Sequence, residues 1–325
     1  MAALLAIAGV LWAGASEVED QLMARRRVFS SIGPGLRALR RGTDGKFYEL
    51  TAPGSSVAIF DAQGALLKKI PDYAQNAGPS SAELRAIQFG EDLDVSANGT
   101  VYVADRGADK VKVWEQNGNA HLIQVKAPLS LAALPEGEVA VTTLQQSHLV
   151  TVYGPNGKVV REFGDPESLS SRPELDRYVN LGRVISDPQG HIYYGFTYMP
   201  EPLVRQYDRF GYAGREFEFT GLDAFPEAQA ARKAIEREET RSAPPILRPI
   251  LTAFGVDPAN GDVWMGLHNT LVHFDKDGIR RSEYQIYTPS GARLEATVIV
   301  VEEEHLLIGA DPLGIYEFQR PDRKH

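Results

Sequence analysis

The segment from Leu93 to Gly118, LDVSANGTVYVADRGADKVKVWEQNG, alternates apolar and polar residues with the period of half-buried strands and breaks at two glycine turns. Leu93 and Val95 alternate with Asp94 and Ser96 ahead of Asn98-Gly99, a dipeptide suited to a tight hairpin. Val101-Tyr102-Val103 follows as a β-branched and aromatic run. Polar residues from Asp105 to Asp109 turn the chain into Val111, Val113 and Trp114, and Asn117-Gly118 turns it again towards Leu122 to Val125. The pattern predicts a four-stranded meander.

Five further stretches keep the same order: turn glycine, strand with an aromatic or branched residue, polar turn, strand ending in an aromatic, second turn. They run Gly45, Phe47-Tyr48, Val57 to Asp61, Gly64; then Gly137, Val139 to Val141, Leu149 to Tyr153, Gly157. The others are Gly190, Ile192 to Tyr194, Val204 to Asp208, Gly211; Gly261, Val263-Trp264, Leu271 to Asp275, Gly278; and Glu303-Glu304, Leu306 to Ile308, Ile315 to Phe318. Each sheet is too small to bury both of its faces alone, and stacking neighbours in a ring buries them. The expected fold is all-β, a six-bladed β-propeller of four-stranded antiparallel blades. Phe60, Trp114, Tyr153, Tyr207, Phe274 and Tyr316, which end or fall within the third strands, are expected at equivalent places between blades.

The Val-Tyr-Val-Ala-Asp core within Leu93 to Trp114 resembles an NHL repeat, and the chain after about Val28 resembles the NHL-like six-bladed β-propeller family. That family includes binding scaffolds, lyases and lactonase-like hydrolases, so the resemblance implies an architecture and leaves function to the site. Its gluconolactonase-like branch implies an inner Glu, Asn and Asp set around a divalent ion. Here Glu83, Asp92, Asn180 and Glu295 stand near inner-strand starts. Its amidating-lyase branch implies histidines lining the channel, and no histidine stands at an inner-strand opening.

The last unit runs out before its fourth strand. Val28 to Ile32 is therefore expected to pair with Ile315 to Phe318 and close the ring. Ahead of it, Ala2 to Ala13 is apolar and Ala13-Gly14-Ala15 has the small-x-small form of a cleavage site. The run is shorter than the about 20 residues a membrane span needs. Residues 1–15 read as a signal peptide, 16–27 as a linker and 28–325 as the propeller, of an exported, periplasmic or extracellular protein with no stable membrane insertion after processing. A helical insertion at about 222–243 is expected between blades 4 and 5, where PEAQAARKAIEREETR places Ala228, Ala231 and Ile235 on one stripe.

Composition narrows the partners. A formal charge of −9 over 325 residues argues against a nucleic-acid ligand. The absence of cysteine removes disulfides, thiolate ligands and a thiol nucleophile. No GxSxG elbow, phosphate loop or dinucleotide fingerprint is present.

The connections are asymmetric. One rim carries only glycine turns, whereas the other gathers Pro71 to Glu91, Gly164 to Leu181 and Thr220 to Pro249. Arg37, Arg85, Arg183 and Arg248 each lie near the inner strand of a different unit, and guanidiniums converging at that mouth suit a carboxylate or phosphate. Asp105-Arg106 and His268-Asn269 are the candidate wall. The expected reading is a binding module for a small anionic ligand or protein partner, with no cofactor. The alternative is a metal-dependent lactonase-like or lyase-like enzyme holding Ca or Zn in the central channel.

Overall fold

The computed structural model describes residues 20–71, 82–145, 147–219, 226–241 and 244–323. Six sheets stand in a ring, each an antiparallel meander running in chain order from an innermost strand outwards, with N-terminal strands added at the outer edges of two of them. Blades are counted here from the one that the N-terminal strand Arg26–Val28 completes. Blade 1 is then Val298–Val301, His305–Ala310 and Gly314–Gln319 with Arg26–Val28 outside. Blades 2 to 6 span 36–70, 90–124, 128–163, 182–218 and 253–287. The innermost strands touch in ring order and enclose the channel. In this count the long helix, Pro226–Glu239, sits between blades 5 and 6 rather than 4 and 5.

The repeated turn explains the repeated sheet. In blades 2, 5 and 6 the third strand ends in an aromatic followed by Asp61, Asp208 or Asp275. One oxygen of each carboxylate accepts N–H bonds from residues two and four further on. A glycine at φ +81 to +93 completes the reversal at Gly64, Gly211 and Gly278. The aromatics Phe60, Trp114, Tyr153, Tyr207 and Phe274 all pair with the first residue of the second strand. In blade 1 the first residue of the second strand, His305, pairs with Gln319, and the aromatic next to that register is Phe318, opposite Leu306, rather than Tyr316, which faces Ile308. The sixth position of the alignment is therefore two residues further on, and Phe318 is fully buried there.

Closure follows the expectation with shifted bounds. Arg26, Arg27 and Val28 pair with Glu317, Tyr316 and Ile315, whereas Phe29 turns away at φ 50 and buries its ring against Phe47 and Phe60. The stretch read as linker holds a second strand, Asp20–Met23, laid parallel along Tyr284 to Tyr287 as a fifth strand on blade 6. The expected signal peptide, 1–15, lies outside the described residues.

Behind the last strand, Arg320 is fully buried and holds Asp257 of blade 6 at 2.7 Å and Asp322 at 2.6 Å. It also donates to the Glu302 carbonyl at 2.9 Å. This network joins the two blades where the chain begins and ends.

Candidate functional site

On the long-loop rim, the first half of the mouth is fixed by a buried ion pair. Lys112 reaches Asp105 at 2.8 Å, with side chains 1% and 0% exposed. The Lys112 ammonium also donates to the carbonyls of Glu83 and Ala86, while the Asp105 carboxylate accepts the N–H groups of Gln88 and Phe89, both at 2.9 Å. The link into blade 3 is thereby locked to that blade. It crosses blade 2 closely: Gly90 donates to Gly54 at 3.0 Å, and a Cβ on Gly54 would stand 2.4 Å from the Gly90 oxygen.

That framework presents Phe89 and Glu91 to the channel. The guanidinium carbons of Arg37 and Arg106 lie 4.1 Å and 4.9 Å from the Phe89 ring centre. The two Glu91 oxygens accept from these arginines, each at 2.6 Å. Arg37 also donates to Gly90 O at 3.0 Å, and its Nε is buried without a hydrogen-bond partner. Tyr198 of blade 5 is half-buried at the same mouth. Burial raises its phenol pKa, the nearby Arg183 charge lowers it and the Glu91 charge raises it further. One phenol thus feels the charges of both Arg183 and Glu91.

Of the residues singled out from the sequence, Arg37 and Arg106 come together here on Glu91, and the Arg183 charge acts on Tyr198. Asp105 does not face the opening: its carboxylate is spent on Lys112 and two backbone amides, because the loop needs an anchor there. Arg85 and Arg248 are exposed on the links and form no ion pair among the described residues. His268 sits at φ 57 in a hairpin, 3.9 Å from the exposed Glu295 carboxylate.

Of the four residues implied by the gluconolactonase-like resemblance, Glu295 is exposed and the other three are engaged elsewhere. Asn180 binds the backbone of Glu167 and Asp176. Asp92 binds Arg40 at 3.1 Å and Ser130 at 2.5 Å, and Glu83 binds Lys110 at 2.5 Å. Among the described residues one group places three ligating atoms within 4.8 Å, namely Asp262, His273 and Asp322. Asp322 is already bound by Arg320, so the donor set carries a fixed cation.

Two helices border this rim. The first, Pro173–Val179, is α1, and the second, Pro226–Glu239, is α2. The α1 N-cap is Arg172, with no side-chain cap, and Asp176 instead accepts the N–H groups of Leu169 and Ser170. On α2, Ala228, Ala231 and Ile235 are buried as the stripe predicted, and Arg172 donates to the carbonyls of Glu238 and Arg241. Anchored on both sides, α2 is a packed insert. No helix among the described residues is long and apolar enough to cross a membrane.

The opposite mouth carries a feature that sequence reading missed. The far ends of all six inner strands enclose a funnel of 680 Å³ on the glycine-turn rim. Leu39, Val95, Leu134, Ile185, Val256 and Ile299, one from each blade, line its wall. At its floor Arg40 holds Asp92 and, at 3.6 Å, Asp94, whose other oxygen accepts the Ala133 N–H at 2.8 Å. Burial lifts the Asp94 carboxyl to about 6, against the opposing pull of Arg40.

No family model and no curated protein matches the sequence. Solved structures match the fold. A gluconolactonase from Xanthomonas campestris has a TM-score of 0.57 at 15% identity over 90% of this chain and 89% of its own. A virginiamycin B lyase from Staphylococcus aureus has a TM-score of 0.56 at 13% identity over 88% and 80%. An auxiliary nutrient binding protein from Bacteroides ovatus has a TM-score of 0.53 at 11% identity over 88% and 69%. The chain is a six-bladed β-propeller, an architecture that serves enzymes and binding proteins alike.

Proposed function

We propose that this chain is an exported, non-catalytic binding propeller that takes a small carboxylate or phosphate ligand at the long-loop mouth of its channel. The observation that carries the reading is the grip of Arg37 and Arg106 on one carboxylate, Glu91, over the Phe89 ring, with the Arg183 and Glu91 charges both acting on the Tyr198 phenol. Two guanidiniums against one acid leave positive charge at the opening of a chain whose total is −9. Arg37 keeps an Nε donor without an acceptor, and Arg183 makes no ion pair among the described residues. Export rests on the apolar start and its small-residue cleavage pattern. The enzyme reading would need acids or histidines converging in the channel, whereas Glu83, Asp92 and Asn180 are bound to other partners and Glu295 is exposed.

The test is calorimetry of the whole protein with citrate, inorganic phosphate and a neutral sugar. Citrate or phosphate binding that Arg183→Met weakens by about tenfold supports the reading, since a half-buried charge-assisted contact is worth about 1.4 kcal/mol or more. Equal affinity for the neutral sugar, or no effect of Arg183→Met, overturns it.

A further inference from the structure

The funnel on the glycine-turn rim has the opposite character from the long-loop mouth. Asp94, Glu136, Asp187, Glu302 and Glu303 line it, against Arg40 and Arg41. The two arginines are committed: Arg40 to Asp92 and Asp94, and Arg41 to Glu302 at 2.7 Å. Asp187 is bound by His191 at 2.8 Å and by the Tyr193 hydroxyl. Glu136 and Glu303 are exposed and make no ion pair among the described residues. Below this acidic margin the wall is apolar on every side, and the enclosed volume is in the range of small-molecule sites, about 300–1,000 Å³.

The spacing of the acids decides the guest. Among the described residues no three ligating atoms of the funnel fall within 4.8 Å of one another; the group that does is elsewhere. A bare metal ion would therefore reach too few of these carboxylates. A guest that satisfies them must carry several positive charges apart, joined by apolar spacers that fit the wall. We propose that the funnel is a binding site for a linear aliphatic polyamine, with one ammonium against Asp94 at the floor and others at Glu136 and Glu303 on the margin. Asp94 suits the inner position, because its carboxylate has Arg40 only at 3.6 Å, backbone donors from Ala133 and Val95 and the like charge of Asp92 nearby. The site is independent of the anion site and lies at the other end of the channel.

The experiment titrates the full chain with spermidine by calorimetry, with magnesium chloride as the inorganic comparison. Saturable one-to-one binding of spermidine is expected. The double variant Glu136→Gln/Glu303→Gln should weaken it about tenfold, two partly exposed ion pairs being lost. Both positions are exposed, so folding is unaffected, and Asp94→Asn adds a second test at the floor. The pair Glu174→Gln/Glu218→Gln removes the same charge far from the funnel and should leave affinity unchanged. Equal weakening by both pairs would reduce the effect to the net charge of the protein, and either that result, magnesium binding as tightly as spermidine, or no saturable binding overturns the proposal.

Discussion

Glu49 shows how a single residue can resist its fold. It lies in the second strand of blade 2 at 5% exposure, with Oε1 lacking any hydrogen-bond partner. Burial lifts its carboxyl from 4.5 to about 7, more than the Thr51 hydrogen bond and the Lys69 charge pull it down. A carboxyl raised on folding contributes stability that is present below the unfolded value and is lost as pH rises through the folded one. Glu49→Gln should therefore gain about 3 kcal/mol on wild type between pH 4 and pH 8, read as the pH-dependent part of the difference in urea unfolding. A difference that stays flat with pH would mean the carboxyl is solvated. No periodicity distinguishes such a residue, because Glu49 occupies an ordinary strand position between Tyr48 and Leu50. Asp105 teaches the same point in reverse. Beside Arg106 in a polar turn it reads as part of a site, and only the fold shows that Lys112, seven residues on, turns its carboxylate inward.

At the scale of elements, the strand pattern was nearly complete in the sequence because each blade repeats its own turn chemistry. Closure was legible from the missing strand of the last unit. Its bounds were not, since Phe29 looks like a strand residue and is in fact the turn. Asp20–Met23 was invisible for a different reason: it joins blade 6 in parallel as an extra edge strand, and such a strand needs no alternating pattern of its own. Both N-terminal strands bridge the ring's joint, with Leu22 and Ala24 buried against blades 6 and 1. Removing residues 1–28 should cost on the order of 3 kcal/mol, from Leu22 and part of Val28 returning to water. Arg26→Ala, which breaks an ion pair whose arginine is 68% exposed, should shift the denaturation midpoint little. If the deletion is as mild as the point variant, the strands decorate the joint without closing it.

For the whole molecule, the ring is closed without a covalent link inside blade 1, where Arg26–Val28 pairs with Gly314–Gln319, and a buried charge network joins that blade to blade 6. Sequence reading placed function on the long-loop rim from loop lengths alone, and it passed over the opposite mouth because a funnel made by six strand ends has no local signature. It passed over Arg320 for a related reason: the residue follows the last strand and meets Asp257 only once blade 1 packs against blade 6. Arg320 is fully buried between Asp257, itself 2% exposed, and Asp322. Replacing one partner of such a group leaves a charge without compensation, so Arg320→Met should destabilise the protein by about 3–5 kcal/mol. Adding Asp257→Asn should recover part of that loss, because the stranded carboxylate is then gone. Hydrogen exchange locates the effect: amides of Ala253–Val256 and Val298–Val301 should lose protection before those of Pro128–Ala133 on the far side of the ring. Uniform loss of protection around all six blades would show instead that the ring unfolds as one unit and that its joint is no weaker than the rest.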